Sequence, residues 1–481
     1  MAPAAASPLA PASDSGVLHR SALVLALQIV IQARGLIQVP FLTRALTADE
    51  LGSLTLAMSM AGTASVLALL GLHTGFFLNL VRLEAARSRA AVVSVFAFAI
   101  PLVGVTSLAT TLALAEGLGG RWLHGVHSLA LPLGLLIAGS ALREIAMVVP
   151  RARQDVMFYW ANSLWLHYGG LVVGLALVLR GHGPGGFIIG LGAGALGGAL
   201  VALAYSLRRT LGPATWDATF SLQVARSSYP VVPMALAQVS LLSLDYVFVS
   251  RFLGSAAVAT YGLAYTFASP VMLMVGVLNV TLLPEYVTRH RRGDAELLAF
   301  VEGVLAWGWT VGLAAVAAAT LLGPGVIEAV AGTPYRAAGE LLPAIVASYV
   351  LFALGQVLHI VRSALVADVR ASAVVTVVCA LLNAVASFWV IPTYGLRGAA
   401  ATTLASFVLY FLAMAAVVRP ILPGAVPSMR PWLPMLGLAA VPFVLLLDSS
   451  PLTRTLLAVC LGVAALWRRR FPPLLRPAVY R

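Results

Sequence analysis

Long apolar runs alternate with short polar turns along nearly the whole chain. Most runs reach the length of about 20 residues that a helix needs to cross a hydrocarbon core about 30 Å thick. The runs are continuous rather than alternating, which favours helices over the strands of a barrel. The pattern predicts an all-α integral membrane protein with fourteen spans, at 21–42, 51–80, 90–115, 128–149, 159–180, 185–206, 228–252, 255–284, 298–331, 340–365, 371–392, 397–418, 430–447 and 451–468.

Two pieces of the sequence recur at a nearly constant offset. The end of the first span, 41–46, reads FLTRAL, and the end of the seventh, 248–253, reads FVSRFL, 207 residues later. The turn at 183–186 reads GPGG, and the turn at 395–398 reads GLRG, 212 residues later. The offset covers six helices, an even number, so the two copies have the same orientation, as in transporters built from parallel repeats.

The repeat predicts how the chain is organised. The expected segments are a disordered tail over 1–16, a six-helix bundle over 17–210, a linker over 211–227, a second six-helix bundle over 228–420, an additional transmembrane pair over 421–470 and a tail over 471–481. The N-terminal tail is rich in Ala, Pro and Ser, a composition that cannot bury a core.

Composition and charge agree with this interpretation. Of the 481 residues, 60% are hydrophobic and 10% are charged, whereas roughly 25% are charged in a soluble domain. The net charge is +13, and all 30 basic residues are arginines. If the N-terminus is cytoplasmic, 22 of them fall in cytoplasmic loops and 7 in the opposite loops, and Arg34 remains within a helix. This positive-inside bias puts both termini in the cytoplasm and argues against a nucleic-acid partner.

Three stretches carry a resemblance to a known family. They are 42–52 (LTRALTADELG), 244–264 and 391–401 (IPTYGLRGAAA). Their order and spacing resemble the polysaccharide transport family, the oligosaccharide flippases grouped with MATE exporters and lipid II flippases in the MOP superfamily. The resemblance covers roughly residues 20–420 and implies two pseudo-symmetric six-helix bundles with about two extra C-terminal helices.

The same resemblance implies a function. The protein would move an undecaprenyl-diphosphate-linked oligosaccharide from the cytoplasmic to the periplasmic leaflet of a bacterial inner membrane by alternating access, for surface polysaccharide synthesis. It would act as a monomer without a cofactor, together with other polysaccharide-assembly membrane proteins, and a proton or sodium gradient is the expected energy source.

Arg34 is the strongest candidate for substrate contact. It lies 13 residues after Ser21 and 8 before Leu42, so it is about 20 Å from one end of its helix and about 12 Å from the other. A charge at this depth normally faces a cavity or a partner, and guanidinium presents a planar fork that matches phosphate oxygens. Gln28 and Gln32 extend the polar stripe one turn apart. We expect a diphosphate clamp, with a structural ion pair as the alternative.

Asp245 is the matching polar residue of the second half, and the resemblance places it where the family often has an acid. A carboxylate inside the membrane can hold a proton or a sodium ion, which would couple a gradient to the transport cycle. The alternative is a permanent salt bridge to Arg34, since the first helices of the two lobes face each other in the family fold.

Weaker candidates complete the predicted site. Three polar residues within apolar spans could line the cavity, with hydrogen bonds between helices as the alternative: Gln238, Asn279 and Asn383. Arg44 and Arg251 repeat at the predicted periplasmic rim, where anchoring to headgroups is favoured over glycan contact. Arg143 lies near the end of its span, and snorkelling towards the membrane surface accounts for it.

Glycine and proline residues predict where helices pack closely and where a helix bends. Gly190, Gly194 and Gly198 repeat at intervals of four, which predicts a close approach between helices. Pro230 and Pro233 stand near the start of the seventh span and predict a bend there.

No motif indicates a metal site or an enzyme. His124 and His127 form a lone HxxH without a third ligand, and both cysteines lie in apolar segments. A polyprenol-dependent glycosyltransferase would need a large loop with catalytic acids, and all loops are short. The alternative functions are a MATE-like exporter of amphiphilic small molecules and a lipid II flippase. Cavity charge separates the first of these from a glycan flippase, because a cation site needs exposed carboxylates and a diphosphate needs arginine.

Overall fold

The computed structural model describes residues 14–117, 120–123, 125–272, 285–286, 288–366, 370–422, 440–446, 450, 453–459 and 461. Within these residues the chain is helical and contains no strand. Eight helical stretches in the described part are long and apolar enough to cross a membrane, by length and composition. The prediction of an all-α, multi-pass membrane protein is confirmed.

The first half of the chain forms one helical bundle. Its helices are α1 (Asp14–Ala45), α2 (Ala48–Leu69), α3 (Leu72–Leu80), α4 (Ser88–Ala115), α5 (Ala130–Ala146), α6 (Val148–Ala152), α7 (Val156–Leu164), α8 (Gly170–Leu177) and α9 (Gly183–Arg209). The break between α2 and α3 falls at Leu70 and Gly71, whose φ angles are 42° and 71°. A π-helical turn, Trp165–Gly169, joins α7 to α8.

The second half repeats this plan. Its helices are α10 (Ala218–Ser228), α11 (Val232–Leu253), α12 (Ser255–Ala268), α13 (Asp294–Ala331), α14 (Ala338–Leu365) and α15 (Arg370–Val418). A 3-10 turn over Tyr229–Val231 joins α10 to α11 at the predicted proline bend. A second 3-10 turn, Ser269–Val271, follows α12.

Two of the helical stretches are each two passes through the membrane. The stretch 156–209 has 54 residues and α15 has 49, so straight helices would be about 80 Å and about 75 Å long, more than twice the hydrocarbon thickness. Each stretch turns back at a glycine with positive φ, Gly181 at 86° and Gly395 at 60°. Ser406 Oγ donates to Asn383 Oδ1 at 3.1 Å, which shows that the two arms of α15 pack side by side. The two turns matched in the sequence are therefore equivalent hairpins.

Close packing between α8 and α9 follows from glycine. A Cβ atom on Gly190 would lie 2.2 Å from the nitrogen of Gly174, and one on Gly194 would lie 2.8 Å from Cα of Gly170. No larger residue fits at these contacts. The predicted close approach is confirmed for both glycines.

Arg143 lies inside the first bundle, so the snorkelling interpretation is wrong. Its side chain is 5% exposed, its Nε donates to Asn162 Oδ1 at 2.8 Å, and one terminal nitrogen donates to Ser163 Oγ at 3.2 Å. Glu144 forms ion pairs with Arg143 at 3.2 Å and with Arg151 at 2.8 Å. These acceptors compensate for the loss of water, which makes burial of the guanidinium tolerable.

A helix occupies most of the predicted linker. Ser221 of α10 donates through Oγ to the carbonyl of Ser94 in α4 at 2.9 Å. A Cβ atom on Gly75 of α3 would lie 2.1 Å from Ser228 Oγ. α10 thus fastens the start of the second bundle to the predicted cytoplasmic end of the first.

The predicted terminal helix pair lies largely outside the described residues, as do residues 1–13 and the tail over 471–481. Within 421–470, residues 440–446 and 453–459 are helical. Arg454 forms an ion pair with Glu340 at 3.6 Å, and Arg397 pairs with the same carboxylate at 3.2 Å. The described part of this segment is therefore attached to the second bundle.

Candidate functional site

A cavity of about 320 Å³ lies between the two bundles. Its wall comes from α1, α2 and α9 of the first bundle and from α11 and α12 of the second. The polar residues that line it are Arg34, Gln38, Thr43, Thr55, Ser59, Ser243, Tyr246 and Thr266. Ser59 Oγ donates to the carbonyl of Ser243 at 3.2 Å and thereby joins the two bundles across the cavity.

Arg34 provides the charge of this cavity. Of the described residues in the wall, it alone is charged at neutral pH. One of its terminal nitrogens donates to Nδ1 of His167 at 3.2 Å. Guanidinium can only donate hydrogen bonds, so His167 accepts and is neutral. The positive charge of Arg34 is therefore held in place by a partner that does not neutralise it.

The π-helical turn explains how His167 reaches α1. In a π turn one extra residue shifts the register of the side chains that follow it, and such turns are frequent at functional sites. The hydroxyl of the next residue, Tyr168, donates to the carbonyl of Val30. Val30 and Arg34 are four residues apart on α1, on one face of the helix. Two adjacent side chains of the turn thus hold the same face of α1.

Gln38 follows Arg34 by one helical turn and lines the same cavity. Its Oε1 atom is buried and has no hydrogen-bond partner in the described part of the chain. A buried polar atom without a partner costs about 1–3 kcal/mol. This oxygen is therefore a ready acceptor for a hydroxyl group of a ligand.

The other predicted cavity residues are not part of the described wall. Gln32 on α1 and Gln238 on α11 are half-buried and do not line the cavity. The side chain of Gln28 and the whole of Asn279 lie outside the described residues. Arg34 is the predicted substrate contact that the structure places in the cavity.

Asp245 lies inside the second bundle rather than in the cavity wall. It is 1% exposed, and its Oδ2 accepts hydrogen bonds from Thr403 at 2.6 Å, Tyr261 at 2.9 Å and Tyr265 at 3.0 Å. Asn383 donates from Nδ2 to Oδ1 at 3.5 Å. The alternative of a salt bridge to Arg34 is wrong, because each residue has other partners and no such ion pair forms.

The shell around Asp245 is neutral and rich in oxygen. Ser387 and Ser406 donate to Oδ1 of Asn383 at 3.4 Å and 3.1 Å. The rings of Tyr246 and Tyr349 pack edge-on or tilted against Tyr265, with centroids 5.3 Å and 5.5 Å away. Asn383, predicted for the cavity wall, therefore belongs to this second cluster, which joins α11, α12 and both arms of α15.

The two bundles contact each other at the predicted periplasmic end of the cavity. A Cβ atom on Gly52 of α2 would lie 1.7 Å from the carbonyl oxygen of Ser255 at the start of α12. The guanidinium of Arg251 lies 5.5 Å from the ring centre of Trp122, which belongs to the other half of the chain. Arg44 is exposed at the end of α1. Of the two predicted rim residues, Arg251 thus contacts the opposite bundle.

Solved structures share this fold at low sequence identity. The chain is similar to the lipid II flippase MurJ in an inward closed conformation, with a TM-score of 0.70 and 13% identity, over 93% of this chain and 99% of that one. The chain has the fold of the MOP superfamily. An inward-facing multidrug resistance MATE family transporter of the MOP superfamily matches with a TM-score of 0.65 and 15% identity, over 83% and 98%.

A third MOP-fold structure, a ligand complex of the MATE multidrug transporter DinF-BH, matches with a TM-score of 0.62 and 16% identity, over 85% of this chain and 96% of that one. No protein-family model and no curated protein matches the sequence. The MOP fold is thus established by architecture, and its neighbours are transporters and a flippase.

Several residues of the site have no place in the sequence prediction, among them His167, Tyr168 and Thr403. His167 and Tyr168 reach α1 through a π turn, which no periodicity in the sequence marks. Thr403 lies in a run of small residues, 398–403. Nothing in the sequence distinguishes it from neighbours that only pack between helices. The sequence does contain a signal for the cluster around Asp245, because Tyr261 and Tyr265 are four residues apart on one face of a helix.

Proposed function

We propose that this protein is a flippase for polyprenyl-diphosphate-linked oligosaccharides, undecaprenyl diphosphate being the carrier. It moves them from the cytoplasmic to the periplasmic leaflet of a bacterial inner membrane by alternating access, for surface polysaccharide synthesis. Its MOP fold supports a transporter of this type. The observation that carries the proposal is the charge of Arg34 in the cavity between the bundles, which no described carboxylate neutralises.

The chemistry of Arg34 favours an anionic substrate. Arginine remains ionised in proteins, and its fork matches two phosphate oxygens. A carboxylate beside it would compete with the phosphate, whereas the neutral imidazole of His167 orients the guanidinium and leaves its charge available. An uncompensated charge within a membrane costs at least ~2.5 kcal/mol. A bound diphosphate removes that penalty, so the site favours such a ligand.

The composition of the cavity is less suited to the alternative of a MATE-like exporter of cationic amphiphiles. A cation needs a carboxylate in the cavity, and none of the described wall residues is acidic. Hydroxyl and amide groups of Gln38, Ser59 and Thr266 match sugar hydroxyls instead. Lipid II, which also carries a diphosphate and sugars, fits the same chemistry, so the experiment includes it as a separate substrate.

Asp245 is the proposed site of coupling to a proton or sodium gradient. Its carboxylate is surrounded by neutral groups, including the hydroxyls of Thr403, Tyr261 and Tyr265. Uptake of one cation would neutralise the charge, and hydroxyl and amide oxygens are ligands that suit a hard cation such as sodium. Because the cluster spans α11, α12 and α15, its occupancy can bias how these helices pack.

The proposal also includes the oligomeric state, the orientation and the partners of the protein. The protein acts as a monomer with both termini in the cytoplasm, as the distribution of arginines indicates. It works beside other membrane proteins of polysaccharide assembly and uses no cofactor. Its contacts are the lipid-linked glycan and the bilayer, and it has no nucleic-acid partner.

Reconstitution in liposomes tests the proposal. Three substrates are compared: an undecaprenyl-diphosphate oligosaccharide, lipid II and the amphiphilic cation ethidium. Arg34→Ala should reduce glycan translocation about 10- to 100-fold, the loss expected for a charge-assisted hydrogen bond of about 1.5–3 kcal/mol. Arg44→Ala, an exposed arginine of the same helix, should translocate normally. Wild-type rates in Arg34→Ala would contradict the proposal, and export of ethidium alone would favour the MATE-like function.

A further inference from the structure

Arg34 alone leaves a problem of selectivity in a membrane. Anionic phospholipids carry one negative charge per phosphodiester and greatly outnumber any lipid-linked glycan. A single guanidinium binds a phosphodiester as readily as one half of a diphosphate. A second positive charge close to Arg34 would favour a diphosphate diester, which carries two negative charges, over a phosphodiester.

We propose that His167 supplies this charge by taking up one proton when the diphosphate binds beside Arg34. The inference rests on the proposed function and adds to it a mechanism of substrate selection. His167 acts here as a positioning residue, because it acts on the substrate through Arg34 and does not itself line the cavity.

The hydrogen bond between the two residues fixes where that proton goes. Nδ1 of His167 accepts from Arg34, so the proton of the neutral ring is on Nε2. A further proton, taken from water, can only join Nδ1. Nδ1 then becomes a donor and no longer accepts from Arg34. The released N–H of Arg34 turns to the phosphate, and the imidazolium adds its charge to the same side.

The surrounding charges restrict this step to the loaded state. The charged groups that act on His167 are Arg34 on α1, and Arg143 and Glu144 on α5. Glu144 is already shared between Arg143 and Arg151, so the net field is positive. Burial of the ring, which is the larger effect, and this field both oppose a second charge before the substrate binds. Two negative charges of a bound diphosphate reverse this field, whereas a phosphodiester only cancels Arg34.

Among the described residues, other elements add no compensating charge near the ring. The next residue in the turn, Tyr168, is neutral and donates to α1. α9 packs against the turn through Gly194 and Gly197, which lie near Gly170 and the Trp165 ring. The proton on His167 is therefore balanced by the substrate alone, and this is the origin of the selectivity.

Isothermal titration calorimetry on the full-length protein in detergent tests the proposal. The ligands are undecaprenyl diphosphate carrying one N-acetylglucosamine, and phosphatidylglycerol as the single-charge comparison. Each titration is run at pH 7 in two buffers of low and high ionisation enthalpy, because the difference in binding enthalpy gives the number of protons taken up. We expect uptake approaching one proton for the diphosphate and none for phosphatidylglycerol.

The variant His167→Gln keeps an acceptor for Arg34 but cannot titrate. We expect it to bind the diphosphate without proton uptake. Its preference for the diphosphate over phosphatidylglycerol should fall about tenfold or more, because protonation of His167 is linked to diphosphate binding. His182→Gln, an exposed histidine of the same pass, should behave like the wild type. His167→Asn gives the same readout if His167→Gln does not fold.

The outcomes separate the two proposals. Proton uptake that persists in His167→Gln would place the proton elsewhere and overturn this inference. Tight diphosphate binding by the wild type without uptake would overturn it too, while the proposed function stands. Failure of the wild type to bind any diphosphate lipid would overturn the proposed function, and this inference with it.

Discussion

Arg34 and His167 are 133 residues apart in the sequence and are joined by a hydrogen bond of 3.2 Å. The bond connects the first helix of the chain to a π-helical turn in the fifth pass. It fixes the direction of a guanidinium that no described carboxylate neutralises. The geometry of the cavity's charge therefore depends on a local irregularity in another helix.

Tyr168→Phe tests how far the π turn controls Arg34. The substitution removes only the hydroxyl that donates to the Val30 carbonyl, a bond that contributes about 0.5–1.5 kcal/mol. We expect substrate affinity to fall about two- to tenfold, with little change in folding, because the ring still packs. Tyr394→Phe, at an exposed position, is the control. Equal affinity in Tyr168→Phe and wild type would mean that the turn does not position Arg34.

Asp245→Asn tests the coupling site. The amide keeps the shape of the side chain but cannot hold a cation, so transport should become insensitive to the proton and sodium gradients. The measurement is translocation in proteoliposomes with and without an uncoupler or a sodium ionophore. Thr403→Val removes the 2.6 Å donor and should weaken the dependence on the gradient without abolishing it.

Ser250→Ala gives the control for this cluster, because Ser250 is a buried residue of the same helix whose hydroxyl has no described partner. Its transport should respond to the gradients as the wild type does. Gradient sensitivity that survives in Asp245→Asn would remove Asp245 from the coupling step.

Asp155, outside the membrane spans, makes a pH-dependent contribution to stability. Hydrogen bonds from the Tyr205 hydroxyl and from the Phe158 backbone N–H hold the pKa of its carboxyl below the ordinary value. A lowered folded-state pKa means that the ionised form stabilises the fold. The contribution is thus complete above the unfolded pKa of about 3.9 and is lost as the pH falls through the lower folded pKa.

Asp155→Ala should lower the free energy of unfolding by about 1 kcal/mol at pH 7, the usual cost of losing an N-cap. Thermal unfolding in detergent at pH 7 and at pH 3 measures it, and the gap between variant and wild type should narrow at pH 3. Asp49→Ala, an exposed aspartate of α2, should show a smaller effect. A gap that does not change with pH would show that the charge contributes nothing.

Hydrophobic length and turn glycines predict the passes that the structure describes, because lipid leaves few alternatives to a helix. The sequence also predicts the depth of Arg34 along α1. It does not predict the hydrogen-bond partner of Arg34, because spacing within one helix does not determine which neighbouring helix lies closest. A salt bridge between Asp245 and Arg34 is the alternative that the family resemblance offers, but the hydroxyls of Tyr261 and Thr403 contact Asp245 instead. The burial of Arg143 could not be predicted for the same reason, because its acceptors Asn162 and Ser163 are on another helix.

Gly52 lies at a close contact between the two bundles at the predicted periplasmic end, and we expect this contact to hold that end closed. Any Cβ at this position would lie 1.7 Å from the Ser255 carbonyl oxygen, so Gly52→Leu forces α2 and α12 apart. Overpacking of this kind costs about 1–3 kcal/mol, which shifts two conformations by roughly 5- to 150-fold. The closed state is therefore depleted relative to the outward-open state. Gly62→Leu on the same helix, where no atom lies within 4 Å of the added Cβ, is the matched control.

Thr43 lines the cavity near this end, and a cysteine there reports the shift. In a background with Cys379→Ala and Cys460→Ala, a membrane-impermeant thiol reagent added from the periplasmic side should label Thr43→Cys several times faster when Gly52→Leu is present. Gly62→Leu should leave the rate unchanged. Because alternating access needs both states, glycan translocation should fall in Gly52→Leu as labelling rises. Equal labelling in the two leucine variants would show that the contact between Gly52 and Ser255 is not part of the gate.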